Sequence, residues 1–411
     1  MNYKLLIILA VLISGIYSII LNIVKFHSAN NPTPKSVSDV YDTETYAKWK
    51  KYSAEHCLLS LVSAIISCVV SMVLLVSNAY FAFASLFPDD LFLQLLSVLI
   101  LETLVGTVLG VIEGYISTMK IEQKYGFNRS SMKTFIFDQI RSLILGFGLS
   151  LAITSLLMLH IYLGDWIILL FAGAMFAFGL IISFLYPFLS RIGNKFVPLE
   201  KGELKDKLME LLNKHGYNVK AIEVMDASRR TTKLNAYITG FGKTKTIVLY
   251  DNLVNAMSAE EICAVFAHEL GHGLHKDVLK SQIFNLAQFF IMAAIACLCV
   301  REPLLHTSFG FTAVNHGFAY VLIGTILGLV QPIISLVMNT RSRKAEYRAD
   351  KQAVKEGYGE AMVVALKKLA RDNFAHLSPS KINVVFEYSH PPLAQRIEAV
   401  EKMLEKENEN A

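Results

Sequence analysis

Seven long apolar runs decide what this chain can be. A helix needs about 20 apolar residues to cross the hydrocarbon layer. Runs of that kind occupy residues 3–24, 57–86, 91–116, 142–163, 166–188, 283–300 and 317–339. The chain is 54% hydrophobic and 18% charged, where a soluble domain carries about 45–50% and about 25%. The expected fold class is therefore an α-helical polytopic membrane protein. Disordered and collagen-like classes are excluded, and the five cysteines show no CxxC pair that would call for a disulfide or zinc-finger framework. The first run follows Lys4 as a secretory signal would. It continues without a small-residue cleavage site, so it reads as a retained span.

Basic residues orient the spans. The connections 25–56 and 117–141 hold ten Lys and Arg, whereas the opposite side holds only Lys4 and Arg301. Loops rich in Lys and Arg stay in the cytoplasm, so the polar segments 189–282 and 340–411, which fall on the same side, are expected there with the C-terminus. Four regions follow. Residues 1–188 carry spans one to five, 189–282 form a small α+β unit, 283–339 carry spans six and seven, and 340–411 form a helical tail of three helices. Within the α+β unit a helix is expected over 202–215, with short strands at 220–225, 234–238 and 245–250. The net charge of +5 makes no case for nucleic acid.

The chemistry sits on the next helix. Ser258 and Glu261 form the hydroxyl-and-carboxylate pattern of a capping box. Inside the helix that it opens lies His268-Glu269-Leu270-Gly271-His272. Histidines four apart project from one helical face, so both imidazoles can reach a single zinc ion, and Glu269 stands beside them to take a proton from water. A catalytic zinc site wants a third protein ligand. His275 is one candidate, although three ligands on successive turns of one straight helix converge poorly. The other candidates follow from topology: Glu346 and Asp350 are the first acids returned to the zinc side after span seven, one helical turn apart. One of the two could bind metal while the other accepts a hydrogen bond from a ligand imidazole.

These motifs, in this order, resemble the type I CAAX prenyl protease family of integral-membrane zinc endopeptidases. The likeness rests on the His268–His272 helix, on Glu346-Tyr347-Arg348-Ala349-Asp350 after Ser342-Arg343, and on Ser389-His390-Pro391-Pro392. Lys124-Tyr125-Gly126-Phe127-Asn128, the Asn194–Leu199 stretch and Asn235–Gly242 agree with it. The resemblance implies that His268, His272 and Glu346 bind one Zn2+, that Glu269 is the base, and that Asp350 supports a ligand. It also implies that His390 stands near the scissile carbonyl with Arg396 supporting the site, and that seven helices enclose a water-filled chamber. It tips Asn235, Ala236 and Tyr237, on a strand that could be a sheet edge, toward substrate binding. The implied partners are a peptide or protein substrate, isoprenylated in CAAX processing, and membrane lipid. The chain departs from the family at His275 and in a short link of about 16 residues between spans six and seven. A bacterial inner membrane and an endoplasmic reticulum membrane both fit.

Polar groups inside the spans call for partners or water. Glu102 reads as a chamber lining or an interhelical hydrogen bond. Glu113 lies near enough to the boundary to reach headgroups, and His160 sits near the end of span four. Two rival readings are a broad quality-control protease and a metal or solute transporter. Transporter sites sit near the bilayer midplane in broken spans, whereas His268 and His272 lie on a polar capped helix before span six.

Overall fold

The computed structural model describes residues 2–191, 193–240 and 245–410 of the chain. Among these, six helical stretches are long and apolar enough to cross a membrane: Tyr3–Ser28, Thr43–Val76, Leu91–Glu122, Met132–Leu185, Asp277–Arg301 and His316–Lys355. Large side chains such as Leu5, Ile13, Leu58, Val69, Ile144 and Ile333 face outward without cover. Such a surface would be an aggregation liability in water but is the expected one in lipid. The protein is a helical polytopic membrane protein.

The membrane helices are α1 (Tyr3–Ser28), α2 (Thr43–Val76), α3 (Leu91–Gly114), α4 (Met132–Met158) and α5 (Ile167–Leu189). The stretch Met132–Leu185 covers two of the runs read from sequence, and it is parted near Gly164, whose φ is 53°. The expected span 57–86 instead stops at Val76. Asn78 takes a left-handed φ of 56°, and a short helix restarts at Ala79. Several helices also outrun their apolar runs, because hydropathy marks where lipid ends and not where the backbone ceases to be helical.

The α+β unit begins with β1 (Phe196–Pro198) and α6 (Glu203–Lys214), followed by β2 (Ala221–Met225), β3 (Ala236–Thr239) and β4 (Thr246–Tyr250). The strand order is β1-β2-β4-β3. The β2–β4 pair is parallel and the other two pairs are antiparallel. β4 is central and buried along Thr246–Leu249, whereas β3 is an edge. β1 was not expected, being three residues ending in proline, a residue suited only to a sheet edge.

Helix α7 (Ala259–Leu274) packs on this sheet through Ile262, Cys263 and Phe266, which share a core with Leu208, Leu212 and Ile247. Its capping box is formed, with Glu261 N donating to Ser258 Oγ at 3.3 Å and Ser258 N donating to Glu261 Oε2 at 2.9 Å. After His275 the chain turns at Lys276, in a left-handed φ of 56°, into α8 (Asp277–Arg301).

Helix α9 (His316–Lys355) has 40 residues, so at 1.5 Å per residue it reaches about 60 Å, roughly twice the hydrocarbon thickness. Its second half carries Glu346 and Asp350. The tail then adds α10 (Gly359–Asp372), α11 (Lys381–Glu387) and α12 (Leu393–Asn410). The expected first helix of the tail is thus the continuation of the last span, and the Pro391-Pro392 pair stands just before α12.

What brings α7 to α9 is a seam of small residues. Ala264, Ala267, Ala349 and Ala353 are all fully buried. A Cβ on Gly271 would lie 2.9 Å from Ala349 Cα and 3.0 Å from Gln352 Cβ. The approach therefore requires glycine. Gly271→Ala should push α7 from α9 and destabilise the protein by about 1–3 kcal/mol, the usual cost of overpacking, read as a lower thermal midpoint in detergent. An unchanged midpoint would mean that the seam is slack.

Candidate active site and metal centre

From Glu261 to Gly271 every residue of α7 is buried except Glu269. Glu269 and His272 line a cavity of about 780 Å³ walled by α5 and α8 on one side and by the end of β3 on the other. The motif glutamate thus opens onto that cavity.

His268, His272 and Glu346 converge, their ligand atoms lying within 4.8 Å of one another. His268 Nε2 is 3.4 Å from Glu346 Oε2, and His272 Nε2 is 3.3 Å from Glu346 Oε1. Atoms bound at about 2.1 Å to one tetrahedral centre would stand about 3.4 Å apart. Both histidines use their other nitrogen elsewhere. His268 Nδ1 pairs with Asp350 Oδ1 at 2.8 Å, and His272 Nδ1 pairs with Asp277 Oδ2 at 3.2 Å. With Nδ1 donating, each imidazole presents the Nε2 lone pair to the space between the rings and Glu346. His275 is outside this grouping and ends the helix.

The electrostatics call for a cation. Glu346 is only 4% exposed, and its Oε2 is buried without a hydrogen bond. His390 Nδ1 lies 2.8 Å from that oxygen but lacks hydrogen-bond geometry. Burial works against protonation of His268, yet hydrogen bonds to Asp350 and Glu346 outweigh it and push its pKa up to about 9. His272 is raised too, burial again being outweighed by Glu346. Without a metal the pocket recruits protons. Two imidazoles, one carboxylate and a fourth side open to a cavity fit zinc better than the oxygen-rich shells of calcium or magnesium.

Arg396 supports the cluster through Asp350. Its Nε and Nη2 grip Asp350 at 2.9 and 2.6 Å, and its Nη1 stands 3.7 Å from Glu346 Oε2. Most of its donors are spent on orienting the acid that orients His268. His390 is 62% exposed along its side chain and faces outward beside Glu346. Asn235, Ala236 and Tyr237 enter the edge strand, whose Ile238, Thr239 and Gly240 border the cavity. Phe241 and Gly242 of that motif lie outside the described residues.

Asp277 is the residue that spacing did not single out. It follows the turn at Lys276, and its second oxygen accepts from Arg348 Nη2 at 2.8 Å. Its one sequence signal is an acid opening a helix five residues after His272.

A membrane-spanning helical scaffold joined to this histidine–glutamate cluster defines a membrane-embedded zinc metallopeptidase. Comparison with known proteins agrees. The family model described as "Peptidase family M48" matches residues 198–404, and "CAAX prenyl protease N-terminal, five membrane helices" matches residues 22–191. The chain belongs to peptidase family M48, in its type I CAAX prenyl protease branch. It is 30% identical to a CAAX prenyl protease 1 homolog of Arabidopsis thaliana over 386 residues, covering 90% of each. It is also 30% identical to CAAX prenyl protease 1 of Saccharomyces cerevisiae over 417 residues, 91% of this chain and 89% of the yeast one. Its fold matches the crystal structure of S. mikatae Ste24p with a TM-score of 0.89 and 26% identity, covering 97% of this chain and 99% of that one.

Asp277→Asn and Asp350→Asn each remove an anchor of a ligand imidazole. Each should weaken zinc binding about 10- to 100-fold in competition with a chromophoric chelator. Unchanged affinity in either variant would make that carboxylate a bystander.

Proposed function

We propose that the chain is a CAAX-type endopeptidase that removes a short C-terminal peptide next to a lipidated cysteine, with its active site on the cytoplasmic side. The observation that carries the reading is the cluster of His268, His272 and Glu346 beside the half-buried Glu269, which lines a cavity between an edge strand and apolar membrane helices. The names of the relatives supply the substrate class.

In this reading α1 to α5, α8 and α9 are seven spans. The break near Gly164 divides one apolar stretch into helices of 27 and 23 residues, each long enough to cross. The regions 1–188, 189–282, 283–339 and 340–411 keep the roles read from the sequence. A cavity of about 600 Å³ among the helices, lined by Ser14, Ser67, Ser71, Glu102 and Tyr320, supports a partly polar chamber between the spans. Tyr80 Oη donates to Glu102 Oε2 there at 2.6 Å, so Glu102 is both lining and hydrogen-bonded. Glu113 is exposed near the end of α3. The excess of Lys and Arg in the connections 25–56 and 117–141 supports the orientation.

His268, His272 and Glu346 would hold the metal, with Asp350 and Asp277 fixing the imidazoles and Arg396 fixing Asp350. Zinc supplies Lewis acidity there, lowering the pKa of water and polarising a carbonyl. Glu269 takes the proton of the attacking water on its carboxylate and returns it to the leaving amide nitrogen. His390, beside Glu346 and open to solvent, donates a hydrogen bond to the carbonyl oxygen as it gains charge. Main-chain groups of Asn235, Ala236 and Tyr237 hold the peptide extended along the edge of β3.

Two experiments test this. Glu269→Gln should keep its zinc while hydrolysis falls by at least about 100-fold, the lower range for a general base; near-normal hydrolysis would remove Glu269 from that role. Purified protein should cleave a farnesylated CAAX peptide well ahead of its unmodified twin. Equal turnover of both would point to a quality-control protease, and no turnover of either with zinc loaded would overturn the peptidase reading.

A further inference from the structure

The cavity of about 780 Å³ beside Glu269 carries cations that the proposed chemistry leaves unused. Tyr217, in the loop after α6, lies against α7 where Gly273 has no side chain. A Cβ there would stand 2.8 Å from the ring atoms Cε2 and Cζ. Lys245, just before β4, sets its Nζ over that ring, 3.8 Å from the centroid. The ring therefore holds an ammonium at the cavity wall through a cation–π contact. Lys245 is half-buried, and it makes no ion pair among the described residues.

A second cation arrives from a different element. Lys276 lines the same cavity and holds the left-handed φ of 56° at the turn into α8. That backbone suits glycine and strains a lysine, so a side chain kept there argues for a use. Lys276 also makes no ion pair among the described residues. The one carboxylate among the lining residues is Glu269, which the mechanism above employs as the base. The other walls are largely apolar, through Leu180, Ile182, Ile238 and Val278, and low-dielectric walls strengthen the field of the two ammonium groups. Two unpaired cations facing such a space call for an anion.

The end of β3 indicates which anion. Ile238, Thr239 and Gly240 border this cavity, so a peptide laid along the edge of β3 passes beside the lysines. Successive side chains of an extended peptide point to opposite faces, so a given register turns particular side chains toward them. We propose that Lys245 and Lys276 form a subsite for an acidic side chain, aspartate or glutamate, of the bound peptide. They are specificity-determining residues: they take no part in breaking the bond and select among the peptides that reach the zinc cluster. The inference rests on the peptidase reading above and adds a side-chain preference to it.

The test scans a farnesylated CAAX peptide, placing glutamate or glutamine at one position at a time, in a neutral detergent that offers no competing anionic headgroup. Binding to the zinc-loaded protein is read in the cold from the anisotropy of a fluorophore on the peptide's N-terminus. In one register glutamate should bind about ten-fold more tightly than glutamine, as a charge-assisted hydrogen bond predicts. That preference should fall to near parity in Lys245→Gln and survive in Lys245→Arg. It should weaken in Lys276→Gly, which keeps the turn because glycine adopts that φ freely. Zinc content shows that the variants are folded. Equal binding of glutamate and glutamine at every position, an acid preference of the same size at all positions, or a preference unchanged in Lys245→Gln overturns the proposal. Hydrolysis is scored separately: an acid preference without cleavage counts against the peptidase reading and for this subsite, and cleavage without an acid preference does the reverse.

Discussion

A carboxylate shut away between two imidazoles is the constraint on which the rest of the structure depends. Glu346 is almost fully buried, and one of its oxygens has no hydrogen bond. A buried anion of that kind is stable only beside compensating positive charge. The surroundings supply part of it through His268, His272 and the Arg396 guanidinium. The geometry leaves a gap among the nitrogen and oxygen lone pairs that a divalent cation would fit. Each group that does not face this gap is used to hold one that does: Asp350 and Asp277 on the imidazoles, Arg396 on Asp350, Arg348 on Asp277.

The fold can be understood as the means of bringing that glutamate to those histidines. Helix α7 arrives from the sheet, and α9 arrives from the membrane as an unbroken extension of a span. They meet across alanines and one glycine because nothing larger would let the backbones approach. The long membrane helix thus positions Glu346, and the helix packed on the sheet positions the two histidines. This explains how a soluble-looking α+β unit and a lipid-embedded bundle share one centre, with a cavity walled by both.

Much of this was legible from residues alone. The capping box and the two histidines four apart announce a metal-binding helix. The scarcity of acids between Val278 and Ala345 points to Glu346 and Asp350, and the strands lie within one or two residues of the apolar runs that mark them. Three features were hidden for physical reasons. The helix through Arg341 to Lys355 looks like a new element because its hydropathy changes, although its backbone does not. Asp277 returns to His272 only because Lys276 takes a left-handed conformation, which no periodicity reveals. How Arg396 supports the site shows only once Asp350, distant in sequence, is placed beside it. Local pattern reports which face of an element is wet, and tertiary pairing decides what that face touches.

The most direct test is a map of anomalous scattering collected at the zinc edge from the zinc-loaded protein. The account predicts one dominant peak about 2 Å from His268 Nε2, His272 Nε2 and a Glu346 oxygen, with Glu269 facing it and not bound to it. A peak elsewhere, or a Glu346 side chain turned away from the metal, would contradict it.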